Sequence, residues 1–95
     1  MRTLETTILN PSGIHARPGA VFVRTAAGFG SKITLENLDR ATAPVDAKSI
    51  LSVMQAAVGR GQRVRLTADG DDEEAALTAL EALIASGLGE ALPEA

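Results

Sequence analysis

Apolar and polar positions alternate over residues 3–9, where Leu4, Thr6 and Ile8 interleave with Glu5 and Thr7. That is the period of a half-buried strand. Asn10-Pro11-Ser12-Gly13 then supplies turn chemistry. From residue 17 to 27 the period changes. Pro18, Val21, Phe22, Thr25, Ala26 and Phe29 recur at spacings of three and four, which draws one apolar stripe along a helix. Gly28 and Gly30 end it. Residues 32–36 alternate again as a strand, and 37–40 form a turn. A short strand is expected over 41–45, at a sheet edge because Pro44 cannot donate to a ladder. Residues 49–58 read as a short helix with Ile50, Val53, Met54 and Ala57 on one side. Residues 62–68 are the clearest strand, with Val64, Leu66 and Ala68 facing one way and Arg63, Arg65 and Thr67 the other.

The last helix has strong boundary signals. Asp71 is the expected N-cap, and Asp72, Glu73 and Glu74 suit the positive end of the helix dipole. Leu77, Leu80, Leu83, Ile84 and Leu88 make its buried stripe. Gly87 followed by Leu88 fits a Schellman stop. One domain over residues 1–90 is expected; the chain frays from about Glu90 and leaves 91–95 as a flexible tail. The order β-α-β-β-α-β-α, with short connections and helices apolar on one face, predicts an α+β fold. It is an open-faced β-sandwich: a four-stranded antiparallel sheet with three helices on one face. Glu5, Lys32, Arg63 and Arg65 fit a second face open to water.

Composition narrows the function. Hydrophobic residues make up 45% of the 95, but only Phe22 and Phe29 are aromatic, so the core must be aliphatic. There is no cysteine, which excludes disulfides and thiolate metal sites. The formal net charge of −3 and the shortage of aromatics argue against nucleic-acid binding. No apolar run approaches membrane-spanning length, and the N-terminal residues lack the apolar stretch of a signal peptide. A cytoplasmic protein without membrane insertion is expected. Arg17, Arg24 and Lys48 gather the few cations into a local positive surface suited to an acidic partner or a phosphate.

The single histidine, His15, precedes a helix whose first turn holds Pro18, where a missing N–H costs nothing. The free N–H groups of a helix start form an anion site. An imidazole is largely neutral near pH 7 and is then a good nucleophile. The positive helix end suits a dianionic phosphate attached to that ring. Arg17 can neutralise the oxygens of a phosphoryl group in flight. Gly13 lets the chain turn so that the ring is exposed, and Ser12 either adds a hydroxyl to the phosphate or closes the turn. Taken on physics alone, a lone His at a helix start is more often a surface residue or a cap, and Ser49 at the start of the second helix is most simply an N-cap.

Gly13-Ile14-His15-Ala16-Arg17-Pro18 resembles the active-site signature of the HPr family, the histidine-containing phosphocarriers of the bacterial phosphoenolpyruvate-dependent sugar phosphotransferase system. Lys48-Ser49-Ile50-Leu51-Ser52-Val53-Met54 is similar to that family's regulatory-serine segment. Ala79-Leu80-Glu81, running on to Gly87-Leu88-Gly89-Glu90, is similar to its last helix and ending. The resemblance covers the chain to about Glu90. It implies that enzyme I passes a phosphoryl group from phosphoenolpyruvate to Nδ1 of His15, assisted by Arg17, and that the protein then donates it to sugar-specific EIIA domains. Ser12, Ala16, Arg17 and Pro18 are then the expected phosphate-binding residues. Ser49 is the expected target of an ATP-dependent HPr kinase/phosphorylase. Ala20, Arg24, Lys48, Ile50, Leu51 and Met54 are expected to meet partner proteins. No cofactor or metal is implied, and a monomer is the expected state of a carrier that must leave one partner for the next.

Three departures stand out. Gly19 replaces the family's usual Ala, which lowers helix propensity by about 1 kcal/mol and predicts a more mobile loop. Asp46 stands where Asn is common. The connection from Leu35 to Val45 is longer than usual and has no Asn-Gly turn. Two alternatives stay open: a regulatory module whose docking to a transcription regulator is switched by Ser49 phosphorylation, and a carrier of a nitrogen-related or dihydroxyacetone branch.

Overall fold

The computed structural model describes residues 1–91. Its elements are β1 (Arg2–Thr7), α1 (Ala16–Ala27), β2 (Lys32–Asn37), β3 (Val45–Asp46), α2 (Ile50–Gln55), β4 (Arg63–Asp69) and α3 (Glu73–Ala85). The four strands form one antiparallel sheet in the order β1-β4-β2-β3. This is the α+β open-faced sandwich that the hydrophobic periods predict.

Side-chain alternation sets the register. Leu4, Leu66, Leu35 and Val45 stand side by side across all four strands and face the helices. The next position along places Glu5, Arg65 and Glu36 in one row on the other face. There the Arg65 guanidinium lies 3.1 Å from Glu5 and 3.6 Å from Glu36. A one-residue slip would turn the leucine row to water, so the apolar face fixes the pairing. Phe22 is the one fully buried aromatic, and Ile, Leu and Val side chains fill the space around it.

Several element boundaries differ from expectation. β3 has two residues rather than five, because Ala41 takes a left-handed backbone (φ 52) and the chain reaches the sheet edge only at Val45. α2 stops at Gln55 instead of 58, since Ala57 is also left-handed (φ 52). Its expected apolar side is not a single buried face. Val53 and Ala56 are buried, whereas Ile50 and Met54 stay exposed. Gly28 closes α1 in a right-handed conformation (φ −72), with the last turn tightened by Gly28 N–H to Thr25 and Phe29 N–H to Ala26. Gly87 behaves as expected. It is left-handed (φ 97), its N–H reaches the Ile84 carbonyl at 3.1 Å, and Leu88 N–H reaches Leu83 at 3.0 Å, a complete Schellman motif.

The N-cap of α3 is Asp72, not Asp71. Its carboxylate makes no bond to its own helix. It accepts from Gly30 N–H (2.8 Å), Ser31 N–H (2.9 Å) and the Ser31 hydroxyl, tying α3 to the α1–β2 connection. The Ser31 hydroxyl and the Gly30 N–H hold this carboxyl below the usual carboxylate range. A depressed folded-state pKa gives stability that is complete above the unfolded value and is lost as the pH falls through the folded one. The urea midpoint should therefore drop as the pH is taken below about 4. Asp72→Asn should lower the midpoint at neutral pH and shallow the acid slope. An unchanged slope in that variant would remove Asp72 as a source of the acid sensitivity.

Candidate functional site

His15 is the N-cap of α1, with extended backbone (φ −130, ψ 162). Its carbonyl accepts the first helical bond, from Gly19 N–H at 3.2 Å, while its side chain makes no capping bond. The residue is half-buried. Ala16 then turns left-handed (φ 51), a conformation that costs an alanine about 1–2 kcal/mol. Nothing in the sequence marks this position, since Ala is not a residue that favours it. Pro18 is the third helical residue and has no N–H. The N–H groups of Ala16 and Arg17, in the first turn, have no helical acceptor and no other partner among the described residues. Arg17 is exposed and forms no ion pair among them. The helix mouth thus combines an unengaged imidazole, two free amides and a free guanidinium, which suits a phosphate group.

The loop is held from beneath. Ile14 is fully buried, and its N–H donates to the Val58 carbonyl at 3.0 Å. Gly13 is left-handed (φ 63) and lies so close to the Val58–Gly59 backbone that an added Cβ would fall 2.3 Å from the Val58 oxygen. Gly19 is buried too. A Cβ there would sit 3.2 Å from the Ile14 carbonyl oxygen and 3.5 Å from Ile50 Cδ1. This glycine lets Ile14 and α2 approach α1 closely.

Two expected roles change. Ser12 is already engaged in this structure. Its N–H and its hydroxyl both donate to the Glu90 carboxylate, at 3.0 and 2.7 Å. Lys48 is half-buried, and its amine donates to the Phe29 carbonyl at 2.6 Å, closing the end of α1. It is not a loose docking cation. Arg24 is exposed on α1, and Ala20 is half-buried. Ser49 does cap α2, its hydroxyl accepting from Ser52 N–H at 3.3 Å. Beside it Ile50, Leu51 and Met54 are 42%, 69% and 43% exposed, an apolar patch that the core does not use. Asp46 folds back on this segment, its carboxylate accepting from Lys48 N–H at 2.9 Å.

Glu90 was expected to start a frayed tail but is instead bonded to the loop that carries His15. Besides Ser12 it accepts from Asn10 Nδ2 at 2.8 Å. These donors hold its carboxyl below the usual range, the Asn10 amide first. The signal available in the sequence was the Gly87-Leu88-Gly89 run, which allows the chain to double back. Residues 92–95 of the expected tail lie outside the described residues. Among the described residues no cluster of His, Cys, Asp and Glu is placed to hold a metal ion, and no helix is long and apolar enough to cross a membrane.

Comparison with known proteins agrees with this architecture. A family model described as the PTS HPr component phosphorylation site matches residues 3–86. The chain therefore belongs to the HPr family, the phosphocarriers of the phosphotransferase system. It is 45% identical over 86 residues to the phosphocarrier protein HPr of Cupriavidus necator, covering 90% of this chain and 93% of that one. It is 44% identical over 86 residues to a multiphosphoryl transfer protein of Salmonella typhimurium, covering 90% of this chain but only 23% of that much longer protein. Its fold superposes on HPr-C-His from Thermoanaerobacter tengcongensis with a TM-score of 0.90 at 46% identity, covering 97% of this chain and all of that one.

Proposed function

We propose that His15 accepts a phosphoryl group from phosphorylated enzyme I and hands it to EIIA components in the cytoplasm, with the protein acting as a monomer. The observation that carries this reading is His15 as the N-cap of α1, its side chain making no capping bond, directly before the unpaired N–H groups of Ala16 and Arg17. Nδ1 attacks phosphorus, and the bond from phosphorus to the donor breaks as the N–P bond forms. The two amides and the Arg17 guanidinium are the groups that would offset the charge of the phosphoryl oxygens. Pro18 contributes by fixing the helix start rather than by donating.

Incubation with phosphoenolpyruvate and a competent enzyme I should add one acid-labile phosphoryl group to the intact protein. No gain in mass would overturn the reading. Arg17→Ala should leave folding within about 0.5 kcal/mol of the parent, because the side chain is exposed and unpaired. It should slow transfer by roughly ten- to a hundredfold, the rate equivalent of the roughly 1.5–3 kcal/mol of a charged hydrogen bond. Unaltered transfer kinetics would take Arg17 out of the mechanism.

A regulatory reading is supported by the position of Ser49 as the cap of α2 beside exposed Ile50, Leu51 and Met54. A phosphate placed there by an HPr kinase/phosphorylase would add a dianion to an apolar docking patch. Ser49→Asp should change the affinity for enzyme I, for an EIIA domain or for a transcription regulator. Equal binding of parent and variant to all three would count against it.

A further inference from the structure

Three consecutive residues with left-handed backbone, Gly87 (φ 97), Leu88 (φ 54) and Gly89 (φ 86), turn the chain back after α3. Leu88 is fully buried and anchors that turn, and Glu90 N–H closes it on the Gly87 carbonyl at 2.9 Å. The Glu90 carboxylate then reaches the Asn10–Gly13 turn. One oxygen accepts from Asn10 Nδ2 (2.8 Å) and Ser12 N–H (3.0 Å), and the other from the Ser12 hydroxyl (2.7 Å).

Asn10 ties this contact to the His15 loop. It is 1% exposed, and Nδ2 also donates to the Gly13 carbonyl at 2.9 Å. Its Oδ1 is buried with no hydrogen-bond partner among the described residues. The reversed amide would be worse, because its oxygen would face both the Gly13 carbonyl and the carboxylate. A buried orphan acceptor is costly. The two Nδ2 bonds, to the Gly13 carbonyl and the Glu90 carboxylate, are the side chain's only hydrogen bonds among the described residues. Gly13, fixed by these bonds, is the residue pressed against Val58–Gly59, and Ile14 and His15 follow directly.

We propose that Glu90 is a positioning residue for phosphoryl transfer at His15. It clamps the Asn10–Gly13 turn through Asn10 and Ser12 and occupies the Ser12 donors, so that a phosphoryl group on His15 is received by Ala16 and Arg17 alone. The proposal rests on the reading of His15 as the acceptor. Glu90 does not itself touch the reacting atoms.

The test uses the full chain, with Glu90→Ala and Glu90→Gln. Enzyme I kinetics are measured with this protein as the varied substrate, and amide hydrogen exchange is followed at Ser12 and Gly13 by NMR. Glu90→Ala should lower kcat by about fivefold or more with KM within about twofold, since misplacing a reacting group slows the chemical step rather than docking. Glu90→Gln should recover kcat to within about twofold, because its amide oxygen still accepts from Asn10 and Ser12 N–H and its NH2 can donate to the Ser12 hydroxyl. Exchange at Ser12 should be about tenfold faster in the Ala variant and near the parent rate in the Gln variant. A wild-type kcat in Glu90→Ala, an effect confined to KM, or a Gln variant as slow as Ala would each overturn the proposal. If the parent chain takes up no phosphoryl group, the His15 reading falls. The exchange rates then judge the clamp alone, and equal Ser12 exchange in parent and Glu90→Ala would overturn it.

Discussion

His15→Ala is expected to take up no phosphoryl group from phosphoenolpyruvate and enzyme I, while remaining folded. His15 is the only histidine in the chain, so no second imidazole can substitute. Its side chain makes no capping bond, and α1 takes its first hydrogen bond from the backbone carbonyl, which the substitution leaves in place. The stability change should be within about 0.5 kcal/mol, as for other side chains that hold nothing in place. Intact mass after incubation, read beside a urea melt, separates the two effects. A variant that still gains an acid-labile phosphoryl group would move the acceptor elsewhere and end the proposed mechanism.

Gly13→Ala should damage stability and transfer together. The residue sits at φ 63, and an added Cβ would lie 2.3 Å from the Val58 carbonyl oxygen and 2.8 Å from the Gly59 Cα. Both are backbone atoms, so no side chain can swing aside. The left-handed backbone alone costs an alanine about 1–2 kcal/mol. Pushing the loop off Val58 also weakens the Ile14 N–H bond to that carbonyl, worth about 1 kcal/mol. The sum, about 2–3 kcal/mol, is a large share of a small domain's roughly 5–15 kcal/mol but leaves it folded. Transfer should fall on the order of a hundredfold, because His15 is carried away from its productive position. A variant with parental stability and parental transfer would mean that the loop does not depend on its contact with Val58–Gly59.

The two variants differ in what the sequence reveals about them. The helix start after His15 could be read from Pro18, a local pattern, whereas the roles of His15 and Arg17 came from the resemblance of the Gly13–Pro18 segment to the HPr signature. Gly13 could be assigned a turn, but not its contact with a backbone 45 residues further on. Ser12 illustrates the limit most clearly. The sequence leaves its hydroxyl either to meet a phosphate or to close the turn, and only the fold shows a carboxylate from position 90 bonded to it. Lys48 likewise carries no local mark of its partner, the Phe29 carbonyl that the packing at the end of α1 brings to its amine.

Periodicity determined the element order and the buried face of each strand, while Gly87-Leu88 marked the Schellman stop of α3 and Pro18 the helix start after His15. All of these follow from contacts within a few residues, or from the alternation that any sheet imposes. Tertiary structure decided where β3 and α2 end, which of Ile50, Val53 and Met54 enter the core, how Asp72 and Glu90 are used, and which donors near His15 are left free. Those outcomes depend on which distant polar groups meet once the sheet and helices have packed. A charged or polar side chain takes whatever partner the finished fold places within reach, and spacing along the chain carries no record of that partner.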